Sequence, residues 1–177
     1  MTTQDESRRG KCVECPPLRG GESTVPLYHF ITNWFFHAPI ERVWEEIVNV
    51  TEWPSWWTSW KKAAAHDPAS RARLGSVVDH EVQGRLPYTL RFRTVVTAFE
   101  PPRLLTITSS GDLVGVGTFR LEPFNKGTEV IYRWDVGLSD PLLNVLGKVS
   151  FIRVLMEKNH DAVMNEGYRG LKKRLER

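Results

Sequence analysis

The run from Pro141 to Arg177 reads as one long helix, or a short helix joined to a long one, and it constrains the fold more than any other stretch. Asp140 stands where its carboxylate would accept the free amide hydrogens of a first turn, with Pro141 at the first helical position, where its missing N–H costs nothing. Lys172, Lys173, Arg174 and Arg177 load the far end with positive charge, which suits the negative C-terminal pole of a helix. From Val149 to Arg177 the helix would be roughly 43 Å long at about 1.5 Å per residue. The rest of the chain must therefore supply a broad surface for it.

Val149, Ile152, Met156, Val163, Gly167 and Leu171 step along one side of this helix as a stripe. Phe151, Val154 and Leu155 widen it near the start, so the first half is expected to be buried nearly all round and the second half on one side only. Gly167 and Gly170 each cost about 1 kcal/mol of helix propensity relative to alanine, and their presence inside a helix calls for another backbone in close approach. Gly147 is read as a bend between Pro141–Leu146 and the long helix.

The surface for that stripe comes from alternating segments. Tyr28 to Phe36 sets Tyr28, Phe30, Thr32, Trp34 and Phe36 on one face. Ile40, Val43, Trp44 and Ile47 then follow Pro39 at helical spacing. Trp53-Pro54-Ser55-Trp56-Trp57-Thr58-Ser59-Trp60 supplies a second short helix, capped by Thr51, and its four indoles are too many for one short element to bury, so some are expected to roof a cavity or meet a partner. Strands follow over Lys61–His66, Gly75–Val82, Tyr88–Phe99, Arg103–Ser109, Leu113–Leu121 and Thr128–Val136, separated by short turns. Sequential hairpins make an antiparallel sheet, and a long amphipathic helix can bury its stripe only by lying along the inner face of that sheet. The fold class expected is α+β: a curved antiparallel sheet of six to seven strands wrapped around a long C-terminal helix, with two short helices after the first strand. Such a sheet seldom closes perfectly on its helix, which leaves a cavity lined by inward residues.

Composition narrows the rest. The 177 residues, 41% hydrophobic, fit one globular domain over 26–177 after a polar, flexible leader over 1–25. Seven Trp, eight Phe and four Tyr exceed what a compact core needs, pointing again to a cavity or an interface. The net charge of +3 is spread along the chain and gives nucleic-acid binding little support. No apolar run is long enough for a membrane span and no signal peptide is visible, so a cytoplasmic location is expected. Cys12 and Cys15 form a lone C-x-x-C beside Pro16-Pro17 and Gly20-Gly21, without the further ligands that zinc requires, and read as part of the flexible leader. His29, His37, His66, His80 and His160 include no i, i+4 pair, so no metal and no cofactor is expected.

The chain resembles the superfamily named after START domains, the Bet v 1 allergen and bacterial polyketide cyclases. The resemblance rests on Ala38-Pro39-Ile40-Glu41-Arg42-Val43-Trp44, Trp53-Pro54-Ser55-Trp56-Trp57, Glu100-Pro101-Pro102-Arg103-Leu104-Leu105 and Gly127-Thr128-Glu129-Val130. Further matches are Gly115-x-Gly117-x-Phe119 and Asn159-His160-Asp161 followed by Gly167 and Gly170, and together they span about Pro26 to Arg177. The resemblance implies a helix-grip fold and a lipid, polyketide, aromatic or isoprenoid-like ligand. It fixes no activity, because the superfamily holds carriers, cyclases and hormone receptors alike.

The inward faces nominate a ligand wall: Trp34 from the first strand; Trp57 and Trp60; Val78 and His80; Tyr88, Leu90 and Phe92; Ile107; Gly115, Gly117 and Phe119; Tyr132 and Trp134; and Ile152, Leu155, Met156 and Asn159 from the helix. Gly115 and Gly117 are read as leaving open space. A polyketide cyclase/dehydrase-like enzyme would need one or two polar groups in that wall, for which His80, Tyr132, Asn159 and His160 are the candidates. Each also has a structural reading, as a bonded strand histidine, a core tyrosine, or a pair fixing the helix register. Arg91, Arg93, Arg120 and Arg133 alternate onto the opposite face and read as solvated. Three functions remain open at this point: a hydrophobic-ligand carrier or sensor, a cyclase, and an interaction module docking through exposed tryptophans. A homodimer is also left open.

Overall fold

The computed structural model describes residues 28–67, 71–85, 87–139 and 150–176, with side chains in the final helix from residue 154 onward. The Cys12/Cys15 leader, the Asp140–Gly147 cap and bend, and the side chain of Ile152 lie outside the described residues.

Seven strands form one antiparallel sheet: β1 (Tyr28–Phe36), β2 (Trp60–Ala65), β3 (Val77–Val82), β4 (Leu90–Glu100), β5 (Leu104–Gly111), β6 (Leu113–Phe124) and β7 (Gly127–Leu138). Their spatial order is β1-β7-β6-β5-β4-β3-β2. Strands β2 to β7 thus make a meander in which each pairs with its successor, and β1 joins at the β7 edge with Tyr28 opposite Val136 and Phe36 opposite Thr128. Helices α1 (Ile40–Val48) and α2 (Trp53–Trp56), linked by a 3₁₀ turn at Val50–Glu52, carry the chain between the edge strands β1 and β2. The long helix α3 (Ser150–Leu175) is gripped by the curled sheet. Thr51 falls within the 3₁₀ turn and makes no side-chain cap for α2.

Period-2 alternation decides which side chains enter the core. Val78, His80 and Val82 on β3, Phe92, Thr94 and Val96 on β4, Leu105 and Ile107 on β5, Phe119 and Leu121 on β6, and Val130, Tyr132, Trp134 and Val136 on β7 are all buried. Arg91, Arg93, Arg120 and Arg133 are exposed on the other face.

All seven tryptophans are buried, and Trp57 is only 1% exposed. Of the two roles expected for some of these indoles, roofing a cavity or meeting a partner, burial contradicts the second, and with it the interaction module based on exposed tryptophan. The crowding disappears because the four indoles leave different elements: Trp53 and Trp56 lie in α2, Trp57 in the turn that follows, and Trp60 opens β2. They pack on one another, with the Trp57 and Trp60 rings 4.3 Å apart, and onto Trp34, His80, Phe92 and Phe119.

The turn after α2 also fastens α3. The Trp57 indole N–H donates to the Val163 carbonyl at 2.7 Å. A Cβ on Gly167 would overlap the Trp57 ring, and one on Gly170 would overlap the Trp56 carbonyl. Gly170 therefore marks the close approach of another backbone expected of both glycines, whereas Gly167 makes room for a side chain, the Trp57 indole. Glu166 accepts hydrogen bonds from the Ser59 backbone N–H at 2.9 Å and from the Thr58 and Ser59 hydroxyls. Arg174 pairs with Glu46 of α1 at 2.7 Å, and the Tyr168 hydroxyl donates to the Phe35 carbonyl at 3.1 Å.

The first half of α3 departs from its expected burial, since Val154 and Leu155 are 46% and 39% exposed. Met156, Asn159 and His160 take the sheet-facing side there, and no second layer covers the opposite side among the described residues.

Propensity alone would make Gly167→Ala and Gly170→Ala stabilising by up to about 1 kcal/mol each. Their overlap with Trp57 and Trp56 reverses the sign, and each variant is expected to lose about 1–3 kcal/mol of unfolding free energy in urea denaturation.

Candidate functional site

At one end of the sheet β1, β4 and β6 begin while β3 and β7 end, and the first half of α3 crosses over them. The clamp around Trp56 and Trp57 holds the second half of α3 down, and the aromatic core fills the space beneath it. Over the first half the filling is incomplete. A cavity of about 120 Å³ remains there between Tyr28 and Phe30 of β1, Tyr132–Leu138 of β7 and Met156–Met164 of α3. Its size is comparable to that of apolar cavities that take up a ring-sized guest.

Of the wall nominated from sequence, the structure gathers Trp60, Tyr88, Leu90, Phe92, Tyr132, Trp134, Met156 and Asn159 around this cavity, together with His160. Trp34, Trp57, Val78, His80, Ile107 and Phe119 lie instead in the packed core. Leu155 turns outward. Gly115 and Gly117 do not open space as expected. A Cβ on Gly115 would overlap the Asp135 carbonyl, and one on Gly117 would come within 2.9 Å of the Tyr132 hydroxyl and 3.1 Å of Ile107 and Trp134. The room they leave is already filled by neighbours from β7 and β5.

Sequence reasoning missed Tyr28, Phe30, Val82, Leu113, Val136, Leu138, Val163 and Met164 as cavity residues. Their alternation or helical spacing marks most of them as inward. Which end of the sheet stays unfilled is set by strand register, such as Tyr28 opposite Val136 and Leu113 opposite Leu138. No local pattern encodes that pairing.

The four catalytic candidates separate by what holds them. His80 is 3% exposed between Trp53, Trp60 and Phe92. The Trp60 indole, which can only donate, gives its N–H to His80 Nδ1 at 3.0 Å, so the imidazole proton sits on Nε2 and is donated to Thr94 Oγ1 at 2.9 Å. Burial lowers the His80 pKa to about 4, partly countered by the Asp79 charge. Asn159 accepts from the Arg85 backbone N–H at 2.8 Å and so ties α3 to the loop after β3.

Tyr132 is stacked on Phe119 with ring centres 4.1 Å apart, and burial holds its hydroxyl well above the usual tyrosine range, hence un-ionised. His160 is stacked on Phe30 with ring centres 3.7 Å apart. Its two ring nitrogens are buried and have no hydrogen-bond partner among the described residues, the nearby Asp161 carboxylate standing 3.7 Å from Nδ1. Burial pushes the His160 pKa down, with Asp161 pulling the other way. Tyr88 donates to the Met156 sulfur at 3.3 Å, bridging the loop before β4 and α3. No group of three or more metal-ligating side chains occurs among the described residues.

The family model described as polyketide cyclase / dehydrase and lipid transport matches residues 34–176 of this chain. No curated protein sequence matches it. Among solved structures, it is similar to TTHA0849 from Thermus thermophilus, with 15% identity, a TM-score of 0.66, and coverage of 81% of this chain and 96% of that one. It is similar to ginseng major latex-like protein 151 from Panax ginseng, at 10% identity and a TM-score of 0.60, covering 84% and 97% of the two chains. It is also similar to StfQ, a di-domain ARO/CYC from the steffimycin biosynthetic pathway, at 13% identity and a TM-score of 0.61, covering 82% of this chain and 51% of that one. At these identities the structural likeness is one of fold.

The His80 pKa gives a sign-definite pH dependence. Above pH 6.5 the imidazole is neutral in both folded and unfolded chains; between 6.5 and about 4 only the unfolded chain takes up the proton, so stability declines as the pH falls through that window and not further below. His80 is expected to account for about 3 kcal/mol of lost unfolding free energy across it, in addition to a loss of the same sign from His160, and His80→Gln is expected to remove the His80 share in denaturant melts at stepped pH. The Asp79 carboxyl, held down to about 2 chiefly by its hydrogen bond from Arg93, loses its contribution only below about 3.8.

Proposed function

The chain belongs to the polyketide cyclase/dehydrase and lipid transport family, and from that premise and the cavity we propose that it binds a hydrophobic small molecule between the sheet and α3. The observation that carries this reading is an almost wholly apolar, partly open hollow beside a packed aromatic core. Interiors fill such space when nothing else is required of it, because each unfilled methyl-sized volume costs about 1 kcal/mol. Aromatic faces from Phe30, Trp60, Phe92 and Trp134 favour a flat, apolar body as the guest.

A carrier or sensor fits the fate of the polar candidates better than an enzyme does. His80 and Asn159 are committed to bonds that hold elements together, which leaves Tyr132 and His160 as the groups available to a ligand. A cyclase is the second reading, favoured by His160. A neutral imidazole whose nitrogens have no partner among the described residues is a competent base for an acidic proton between two carbonyls, and the un-ionised Tyr132 hydroxyl a donor to the enolate oxygen that results.

The binding reading is tested with N-phenyl-1-naphthylamine, a neutral probe whose emission rises in apolar surroundings. Saturable binding to the wild-type protein is expected, and Met156→Trp, which fills the cavity from a half-buried helix position, is expected to weaken it at least tenfold. Equal affinity in both proteins would place the probe elsewhere and overturn the proposal. Incubation with a linear poly-β-ketone separates the two readings: a carrier returns the chain intact, whereas a cyclase yields a ring product that His160→Leu cuts at least a hundredfold.

A further inference from the structure

We infer that the cavity selects an electrically neutral ligand and rejects the same body bearing a carboxylate or an ammonium group. This rests on the proposed binding function and specifies its ligand class. Among the described residues, no Asp, Glu, Lys or Arg lines the cavity; its polar side chains are the Tyr28, Tyr88 and Tyr132 hydroxyls, the Trp60 and Trp134 indoles, Asn159 and His160. An ion placed there would lose its hydration and meet no counter-charge, a far larger penalty than that of a hydroxyl, whose donor and acceptor match a phenol or a neutral imidazole.

Charges are close by, but on the other side of a seam. A polar cleft lined by Lys61, Arg85, Glu166 and Arg169 shares Gly84 and Val163 with the apolar cavity. At the shared wall the backbone sits directly on α3: a Cβ on Gly84 would overlap Asn159 and come within 2.9 Å of Val163, and the Arg85 N–H donates to Asn159 Oδ1. That contact keeps the three cations in the cleft and out of the cavity. His160, the one imidazole lining the cavity among the described residues, is held neutral by burial despite Asp161 at 3.7 Å, so it offers a ligand carboxylate no ready cation.

The test uses one body in three charge states: 2-naphthol, 2-naphthoate and protonated 2-naphthylmethylamine, titrated calorimetrically at pH 7.5 into the full chain. Naphthol is expected to bind at least 30-fold more tightly than either ion. Naphthoate or the amine binding within threefold of naphthol would overturn the selectivity and leave the cavity reading intact. Failure of all three to bind would overturn both. Leu113→Lys adds an ammonium group at a partly exposed cavity position, and Leu90→Lys serves the same purpose should that variant not fold. Either substitution is expected to bring naphthoate within threefold of naphthol, and an unchanged preference would refute the missing counter-charge as its cause.

Discussion

The architecture depends on the seating of α3 against the turn after α2. A helix of this length has many registers along a curved sheet that bury comparable apolar area, since hydrophobic burial is non-directional. Directional contacts select one of them. The Trp57 indole N–H finds a carbonyl inside the helix, Gly167 makes room for the ring, Gly170 admits the Trp56 carbonyl, and Glu166 collects three donors from Thr58 and Ser59. These contacts fall within two turns of α3, so a slide of one residue would break the bonds and drive Cβ atoms into an indole.

Because this clamp sits on the second half of the helix, it also decides where the molecule is solid and where it is hollow. Beneath the clamped half, Trp34, Trp53, Trp57 and Trp60 interlock with Phe36 and Tyr168. Beneath the other half the sheet continues, and α3 contributes Met156, Asn159 and His160 where larger apolar groups would close the gap. The cavity is thus a consequence of register: moving α3 by one turn would carry Val163 and Met164 toward the sheet end and change its walls.

Much of this is legible in the residues. Alternation identifies the strands and their inner faces because each side of a strand meets a different solvent. The glycines in α3 announce close approach because only contact repays their loss of helix propensity. What cannot be read is pairing at a distance. Gly115 and Gly117 look like empty space in the sequence, whereas the Asp135 carbonyl and the Tyr132, Ile107 and Trp134 side chains occupy it. The Trp53–Trp60 cluster looks too large to bury because a linear stretch does not reveal that it breaks into helix, turn and strand aimed three ways. Inward faces nominate His80 and Trp34 for the cavity, and both do point inward; a face does not say how far along the strand the filling stops.

The two buried histidines show how the same side chain is made structural or available by its surroundings. His80 and His160 are both kept neutral by burial. His80 has both nitrogens in use, accepting from Trp60 and donating to Thr94, so its neutrality costs no hydrogen bond and it crosslinks β2, β3 and β4. His160 has neither nitrogen in use among the described residues and lies face to face with Phe30. A buried polar atom without a partner costs about 1–3 kcal/mol, so the chain bears at this one helix position a destabilisation that a leucine would have avoided. A ligand hydroxyl that reaches the ring recovers part of that energy on binding, since it can donate to the bare nitrogen or accept from the protonated one, whichever it meets. Under the proposed binding function the cost would be borne by the free protein and relieved in the complex, where it would contribute to affinity.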